Sequence, residues 1–335
     1  MGRPMKRGHL YLPGILTEPD ALRAVEQQVA LPTLRRLLAR AQRSSLKASS
    51  DTTFLCEQLG VAAVAPLRAA AEGLDTRTGY WLCADPVHLE MQPSRVQIHP
   101  AAASDAEEAQ VLCATLNAHF AGDGLCFHAP HPARWYVQCA DSQVLYTLSL
   151  DEAAWQDAKT LPPQGRDALR WRKVLTEVQM LLHAHPLNQQ RVTAGRLSLN
   201  SLWLWGGGHI CSPQPLIQSV GGDDELLALL AGAADIPLAD ALERQLAQGE
   251  GTMLWLEYGA RRAWQRGDLP AWRDALERIE REVAVPLWQA LRGGHIAEAW
   301  LDFPAPGGGQ RFRLTRSGCW KFWCADRPLA THCVE

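Results

Sequence analysis

The first 75 residues combine one short continuous apolar run with stretches in which apolar residues recur at helical spacing. The run HLYL at residues 9–12 is typical of a buried strand. Helical spacing covers residues 19–42, and Pro32 divides that span into two helices because proline cannot donate a backbone hydrogen bond. Residues 44–51 are polar and predict no regular element. Two further helical stretches, residues 54–59 and 66–72, complete an opening typical of α/β proteins.

The pattern changes to strands after residue 79. The segment GYWLCADPVHLEM (79–91) and residues 96–98 predict strands. Ser104 is predicted to open a helix, with Glu107 as its capping-box partner. Three more strands are predicted, at residues 124–128, 134–139 and 143–149. So many strands around one helix do not continue a βαβ series, so this block predicts a separate α+β lobe.

Helical spacing over residues 165–183 and the apolar run LSLNSLWLW (197–205) indicate that the α/β pattern resumes. The remaining predicted elements are helices at 223–231, 237–247 and 269–291 and strands at 252–257, 296–301, 310–314 and 319–324. The chain is therefore predicted to be α/β, with residues 1–77 and 196–335 forming a core sheet flanked by helices. Residues 78–195 would form a smaller inserted lobe.

Composition excludes several classes of protein. The chain has 33 basic and 36 acidic residues, a net charge of -3, so no nucleic-acid partner is expected. The longest uncharged stretch, residues 197–222, contains amides, glycines and prolines, so no membrane helix is expected. Nine cysteines without a CxxC pair indicate reduced thiols and a cytoplasmic location.

Three segments carry a resemblance to a known family. They are WLCADPVHL (81–89), EEAQVLCATLN (107–117) and HPLNQQRVTAGRLSLNSLWLWGGG (185–208). In this order they resemble the middle of archaeal-type cofactor-independent phosphoglycerate mutases, of the alkaline phosphatase superfamily. HPLNQQR and NSLWLWGGG resemble still more closely the RpfE-type regulatory proteins of bacteria. The resemblance implies an alkaline-phosphatase-like core sheet split around an inserted substrate-gripping lobe, in agreement with the three blocks.

In the enzymes that this chain resembles, a serine carries the phosphoryl group and two divalent metals are held by Asp and His. The resemblance places the first metal-binding aspartate after the first strand, where residues 12–15 are Leu, Pro, Gly and Ile. It places the serine near Ser50, which is also a candidate helix cap. Arg261 and Gln265 stand where an Asp and a His are expected. Of the final Asp-His pair only Asp302 is present.

The missing ligands weigh against catalysis. Phosphate monoester cleavage can require acceleration of about 10²¹-fold, which corresponds to lowering the activation free energy by about 29 kcal/mol. Correct positioning of the reacting groups alone lowers the activation free energy by roughly 7–11 kcal/mol. We therefore expect no metal or other cofactor and a catalytically degenerate regulatory protein, with Ser50 and Asp302 as the only catalytic candidates. The alternative is an active phosphoglycerate mutase or phosphatase that uses divalent metal.

Candidate ligand-binding residues lie in the inserted block and after it. Arg134 in PARWYV, with His131 beside it, and Asn188 with Arg191 in HPLNQQR could hold a phosphorylated or carboxylate metabolite between the lobes. Interlobe or surface salt bridges explain the arginines equally well. Gly206, Gly207 and Gly208 could cradle a phosphate at the end of a core strand, or form a tight turn.

Aromatic residues concentrate near the end of the sequence, which has 13 tryptophans in all. Alternation in CWKFWC (319–324) predicts a strand with one buried face, so core packing is favoured for most of these rings. Exposure would instead indicate a tryptophan-rich protein-interaction module. The expected partner is accordingly a small anionic metabolite or a regulatory protein. The aromatic residues in question are Trp300, Phe303, Phe312, Trp320, Phe322 and Trp323.

Overall fold

The computed structural model describes residues 6–47, 49–100, 105–248, 251–305 and 307–333. The chain divides into two compact units, one formed by Met1–Gly60 with Gln214–Glu335 and the other by Val61–Pro213. The division therefore falls at residues 60/61 and 213/214, whereas the sequence pattern placed it at 77/78 and 195/196. Residues 61–77 contain a helix that packs against the sheet of the second unit, and residues 196–213 contain a strand of that sheet. Both segments therefore belong to the second unit.

The regular elements follow the chain in this order. The strands are β1 (Arg7–Tyr11), β2 (Gln42–Leu46), β3 (Tyr80–Met91), β4 (Val96–Pro100), β5 (Leu125–His131), β6 (Arg134–Cys139), β7 (Ser201–Gly208), β8 (Ser219–Gly222), β9 (Leu238–Ala239), β10 (Thr252–Leu256), β11 (Glu298–Phe303) and β12 (Gly309–Thr315). The helices are α1 (Pro19–Glu26), α2 (Pro32–Arg40), α3 (Asp51–Leu59), α4 (Val64–Ala71), α5 (Ala106–His119), α6 (Leu150–Ala153), α7 (Ala168–Ala184), α8 (Pro186–Thr193), α9 (Glu225–Ala233), α10 (Leu242–Gln248), α11 (Gly259–Gln265), α12 (Leu269–Ile279) and α13 (Val285–Gly293).

The first unit is built on a seven-stranded mixed sheet in the order β2-β12-β11-β1-β10-β8-β9. Strand β1 lies between β10 and β11 and is parallel to both, and β8 is parallel to β10. The carboxyl ends of these four strands therefore share one edge, called here the carboxyl edge. The apolar core beside the sheet includes Leu10, Leu12, Leu37, Trp272, Leu276, Leu291 and Leu301.

Strand β2 was missed from the sequence. Its residues QRSSL are exposed or half-buried and lack apolar alternation, because β2 is an edge strand paired only with β12. The predicted strand at 319–324 is wrong. A 3₁₀ turn covers Ser317–Trp320, and Trp320 at its end is 55% exposed, followed by Phe322 and Trp323, which are 81% and 71% exposed.

The predicted long helix at 269–291 is divided by a π-helical turn at Glu280–Ala284, between α12 and α13. Pro286 has no N–H to bond to the preceding turn, which explains the widened backbone there. The buried carboxylate of Glu280 accepts hydrogen bonds from the backbone N–H groups of Thr33 and Leu34, at 2.7 and 2.9 Å. It thereby caps α2, whose own N-cap residue supplies no side-chain hydrogen bond.

The second unit contains a five-stranded antiparallel sheet in which β3 is central. Strands β4 and β6 pair with different parts of β3, β5 pairs with β6, and β7 pairs with β3 along residues 81–87. Its apolar core joins the sheet to helices α5 and α7. Core residues from both layers are Leu112, Leu116, Trp135, Val137, Trp171, Val178 and Leu204.

Strand β7 corrects the prediction that the α/β core resumes with LSLNSLWLW. The run belongs to the antiparallel sheet, where β7 pairs with β3, and a largely buried strand there has the same continuous apolar pattern as a parallel strand. The predicted strand at 143–149 is also wrong, since only an isolated bridge joins Tyr146 to Gln164. Helix α5 is capped by Asp105, whose side chain accepts from the Glu108 N–H. Ser104 lies outside the described residues.

No single helix in the described part of the chain is long and apolar enough to cross a bilayer. Helices α3 and α4, taken together as one bent pair, pass that test on length and composition alone.

Candidate functional site

Asp302 lies near the carboxyl end of β11, beside Tyr11 of β1, and its side chain is fully buried. Arg311 donates two hydrogen bonds to this carboxylate, each of 2.6 Å, and His9 Nε2 lies 2.7 Å from Oδ2. Burial alone would raise the pKa of Asp302, but the hydrogen bonds from Arg311 and His9 hold it below its ordinary value. Asp302 is therefore an ionised carboxylate at neutral pH, already bonded on both oxygens.

Asp51 begins helix α3 in the same unit, and its buried side chain is bound from two directions. The Tyr11 hydroxyl donates to Oδ1 at 2.6 Å, and the Arg261 guanidinium forms an ion pair with Oδ2. Arg261 stands on α11, directly after β10, and lies 4.5 Å from the ring centroid of Tyr258. Burial, followed by the charge of Arg262, lowers the pKa of Arg261 to about 10.

Ser50 immediately precedes Asp51 and is the N-cap of α3. Its Oγ accepts a 3.0 Å hydrogen bond from the Thr53 N–H and lies 2.8 Å from Thr53 Oγ1. Ser49, the preceding residue, lines a cavity of about 20 Å³ together with Tyr11 and Pro304. The α3 N-terminus thus lies at the carboxyl edge near the end of β11, and a catalytic role for Ser50 stays a prediction.

A second acidic group at the carboxyl edge was missed from the sequence. Asp223 and Asp224 follow β8, and Glu257 follows β10. Arg262 pairs with Asp223 and Asp224 at 3.4 and 3.0 Å, while Arg278 pairs with Glu257. Burial and the nearby Asp223 raise the pKa of Glu257. The sequence pattern predicted no strand at residues 219–222, and only Glu257, the last residue of the predicted strand 252–257, gave a signal for this group.

Of the ligand-binding candidates, Arg134 and His131 lie at the turn between β5 and β6. Arg134 forms an ion pair with Glu72, and His131 Nδ1 accepts a 3.1 Å hydrogen bond from the Ala133 N–H. The structure therefore brings these two residues together. Their role in holding an anion stays a prediction.

Asn188 and Arg191 are buried inside the second unit. The Asn188 amide donates to the Leu182 and Leu199 carbonyls at 2.7 and 2.8 Å and accepts from the Leu199 N–H at 2.8 Å. Arg191 pairs with Glu108 at 2.5 Å and donates to the Leu197 carbonyl at 2.9 Å. These bonds fasten the segment before β7 onto α8, so HPLNQQR has a structural role whether or not it also contacts a ligand.

The three glycines are the last residues of β7 rather than a loop after it. Gly206 has a φ of +66°, which favours glycine, and a Cβ there would lie 3.1 Å from the Val64 Cβ. A Cβ at Gly207 would lie 2.6 Å from the Tyr80 hydroxyl, and one at Gly208 would overlap the Ala63 Cβ. Close packing thus explains all three glycines, and phosphate binding by them stays a prediction.

The motif WLCADPVHL contains a buried ion pair that the sequence did not reveal. Asp85 accepts a bidentate contact from Arg68 and a 2.7 Å hydrogen bond from Trp205 Nε1. Arg68 lies between the rings of Tyr136 and Trp205, at 4.9 and 5.0 Å from their centroids. The Arg68–Asp85 pair connects α4 to β3 and β7. Two of the segments that carry the family resemblance, 81–89 and 185–208, therefore contact each other through Asp85 and Trp205.

Comparisons with known proteins agree with the fold. No protein-family model matches the chain. It is 25% identical over 195 residues to a 2,3-bisphosphoglycerate-independent phosphoglycerate mutase of Methanosarcina barkeri, covering 55% of this chain and 48% of that enzyme. The chain is a distant homologue of such archaeal enzymes, and it matches about half the length of this curated relative.

Two solved structures are similar to the chain. PH0037 protein from Pyrococcus horikoshii has a TM-score of 0.52 at 13% identity, covering 94% of this chain and 88% of that one. A cofactor-independent phosphoglycerate mutase from Thermoplasma acidophilum has a TM-score of 0.46 at 16% identity, covering 99% and 96%. The first likeness shows a shared fold. With the helix-flanked central sheet, it confirms the predicted α/β class.

The metal pair that the sequence resemblance implies does not fit the donors at the carboxyl edge. Asp51, Asp302 and Glu257 each pair with an arginine, and the positive charge of the guanidinium disfavours a divalent cation at the same carboxylate. Among the described residues, no cluster of three or more His, Cys, Asp or Glu side chains is placed to hold a metal ion. The expectation of no cofactor stays a prediction.

Proposed function

We propose that this protein is a catalytically degenerate, phosphoglycerate-mutase-like regulatory protein of the RpfE type. The observation that carries the proposal is the Arg261 guanidinium bound to Asp51 beside Ser50. Arg261 occupies the sequence position where the resemblance expects a metal-binding side chain. A fixed cation supplied by the chain stabilises the buried carboxylate, but it cannot activate a serine in the way a bound metal does.

The arrangement of the other acidic residues supports the same proposal. Asp302 and Glu257 are each bound by an arginine of a neighbouring element, Arg311 of β12 and Arg278 of α12. Such pairs preserve the fold at the carboxyl edge without metal, because they neutralise charges that would otherwise be buried alone. A protein retained for binding rather than turnover needs this stability and not the reactivity.

The proposal is tested by assaying the purified full-length protein for interconversion of phosphoglycerate isomers with Mn²⁺, Zn²⁺ or Mg²⁺ added. We expect turnover no faster than in the protein-free control, and far less than one metal ion per chain by elemental analysis. Stoichiometric metal together with turnover that Ser50→Ala abolishes and Ser49→Ala preserves would reject the proposal. Both variants should be assayed well below their unfolding temperature, since loss of the Ser50 cap costs about 1 kcal/mol.

An active metal-dependent mutase or phosphatase is the second candidate. The 25% identity over 195 residues to a named mutase supports it, as do the contact of His9 with Asp302 and the position of Asp51 next to Ser50 in the same unit. The assay above separates the two candidates directly. Under this second candidate, the metal would bind carboxylates that already pair with Arg261 and Arg311.

The ligand of the regulatory protein would be a phosphorylated or carboxylate metabolite, with Arg134 and His131 as its contacts. Arg134 is held by Glu72, so its guanidinium is oriented in advance of any ligand. Nine free cysteines fit a reducing compartment such as the cytoplasm. Thermal shift with phosphoglycerates would detect binding, and Arg134→Gln should abolish the shift.

A further inference from the structure

A surface groove lies on the first unit, beside α2, α13 and the 3₁₀ turn that follows β12. It encloses about 560 Å³. We call it the arginine–tryptophan groove, and it is lined by Arg36, Arg40, Trp288, Arg292, Trp320 and Phe322, together with Cys319, Cys324 and Asp326. None of these residues belongs to the candidate site at the carboxyl edge.

The arginines of the groove stack on its tryptophans. The guanidiniums of Arg36 and Arg40 lie 5.7 and 5.0 Å from the Trp288 ring centroid, and that of Arg292 lies 5.0 Å from the Trp320 centroid. A guanidinium on a ring face keeps its N–H edge free for a carboxylate, and stacking limits the side-chain entropy lost on binding.

No carboxylate of the described residues forms a salt bridge with Arg36, Arg40 or Arg292, in contrast to the arginines at the carboxyl edge. Arg40 donates only to the Cys319 carbonyl, at 3.0 Å, and its buried Nε has no partner among the described residues. The groove therefore has three arginines against one aspartate, Asp326, on a chain whose net charge is -3. A local positive charge of this kind attracts an acidic ligand.

The exposed ring of Trp323 extends the apolar surface beyond Phe322, which lines the groove. Phe322 and Trp323 follow Trp320 and are 81% and 71% exposed, although they pack on one another at 5.4 Å. Trp288 is only 9% exposed and Arg292 already lies over the Trp320 ring, so the groove is poorly suited to sandwich a nucleobase. Arginine and tryptophan are also the side chains most enriched at the energetic centres of protein interfaces.

We infer that the arginine–tryptophan groove binds a segment of a partner protein in which several Asp or Glu side chains flank an aromatic or large aliphatic residue. The carboxylates bind the edges of Arg36, Arg40 and Arg292, and the apolar side chain packs on Phe322 and Trp323. This surface is independent of phosphoglycerate chemistry, so it stands even if the proposed loss of catalysis is wrong.

The test uses the full-length protein to select from a displayed library of random 12-residue peptides. We expect the recovered peptides to be enriched in Asp and Glu around one apolar residue. A fluorescein-labelled representative should bind the Arg36→Gln/Arg292→Gln variant at least about tenfold more weakly by anisotropy. Binding should also weaken as salt is raised.

The matched control is Arg244→Gln/Arg273→Gln, which removes two exposed arginines of the same unit that are paired with Asp240 and Asp274. This variant should bind like the parent protein. Peptides without acidic enrichment, or equal binding by the two double variants, would overturn the inference. Displacement of the peptide by equimolar ATP would overturn it as well, because the groove would then belong to a small anion.

Discussion

Arginine side chains hold the buried carboxylates at the carboxyl edge of the first unit. The sequence resemblance placed Arg261 and Gln265 where metal ligands are expected, and Asp302 is followed by Phe303 rather than by a histidine. The pairing of Arg261 with Asp51 could not be foreseen, because the two lie 210 positions apart and only the parallel sheet brings them together. The same holds for His9 and Asp302, on neighbouring strands.

Replacing Arg261 with Met should destabilise the protein by about 3 kcal/mol, because Asp51 would remain buried without its cation. The Tyr11 hydroxyl alone cannot compensate for the lost charge. Urea unfolding measures the loss. The double variant Arg261→Met/Asp51→Asn should recover much of it, since neither charge is then left unpaired. Additive losses in the double variant would show that the ion pair contributes nothing.

Ionisation of Asp302 should make the free energy of unfolding of the protein depend on pH. Its folded pKa lies below the ordinary value of about 3.9, so its stabilisation is complete above that value and is lost as pH falls through the folded pKa. Asp302→Asn should therefore cost about 3 kcal/mol at pH 7 and progressively less below pH ~4.

Urea unfolding at neutral and acid pH checks this dependence on Asp302. The exposed pair of Asp274 with Arg273 provides the control, and Asp274→Asn should change stability by less than about 0.5 kcal/mol at either pH. An Asp302→Asn penalty that is the same at both pH values would contradict the expected role of the ionised carboxylate.

At the scale of secondary-structure elements, the sequence correctly predicted the elements whose hydrophobic pattern reflects which of their residues are buried. Pro32 begins α2 as expected, and α7 (Ala168–Ala184) follows the predicted helical span 165–183 closely. The predictions failed where a strand is polar and where an aromatic-rich segment is exposed. Polar β2 pairs at a sheet edge, and CWKFWC alternates like a strand although its rings lie in solvent.

The end of β7 gives a test at this scale. Gly208→Ala should destabilise the second unit by about 1–3 kcal/mol, because the new methyl group overlaps the Ala63 Cβ at the start of α4. Gly232→Ala, in an open position on α9, should instead stabilise by about 0.5–1 kcal/mol. Chemical denaturation compares the two. A neutral Gly208→Ala variant would mean that close packing does not explain the glycine.

At the scale of the whole molecule, the sequence pattern limited the predicted inserted lobe to residues 78–195, whereas the second compact unit covers Val61–Pro213. Helix α4 resembles the helices before it, and β7 resembles a parallel core strand, so pattern alone assigned both to the core. Their membership in the second unit depends on pairing with β3 and on the Arg68–Asp85 pair, both of which are long-range contacts. Each unit has its own buried apolar cluster.

The ends of the insertion meet in the first unit. The Gln214 N–H donates to the Gly60 carbonyl at 3.0 Å, and the Leu216 N–H donates to the Gln58 carbonyl at 3.0 Å. Joining Gly60 to Gln214 through a short glycine–serine linker, with residues 61–213 removed, should therefore leave a first unit that folds with its seven-stranded sheet. Independent folding is expected because its apolar core is contained within it.

Circular dichroism and thermal denaturation of the shortened chain check this expectation. We expect mixed α/β secondary structure and one cooperative transition. The Arg261→Met substitution should lower the midpoint of that transition, because Arg261 and Asp51 both belong to the retained unit. A chain that lacks a cooperative transition would show that the first unit depends on the insertion for its stability. A transition unaffected by Arg261→Met would show that the shortened chain has lost the native carboxyl edge.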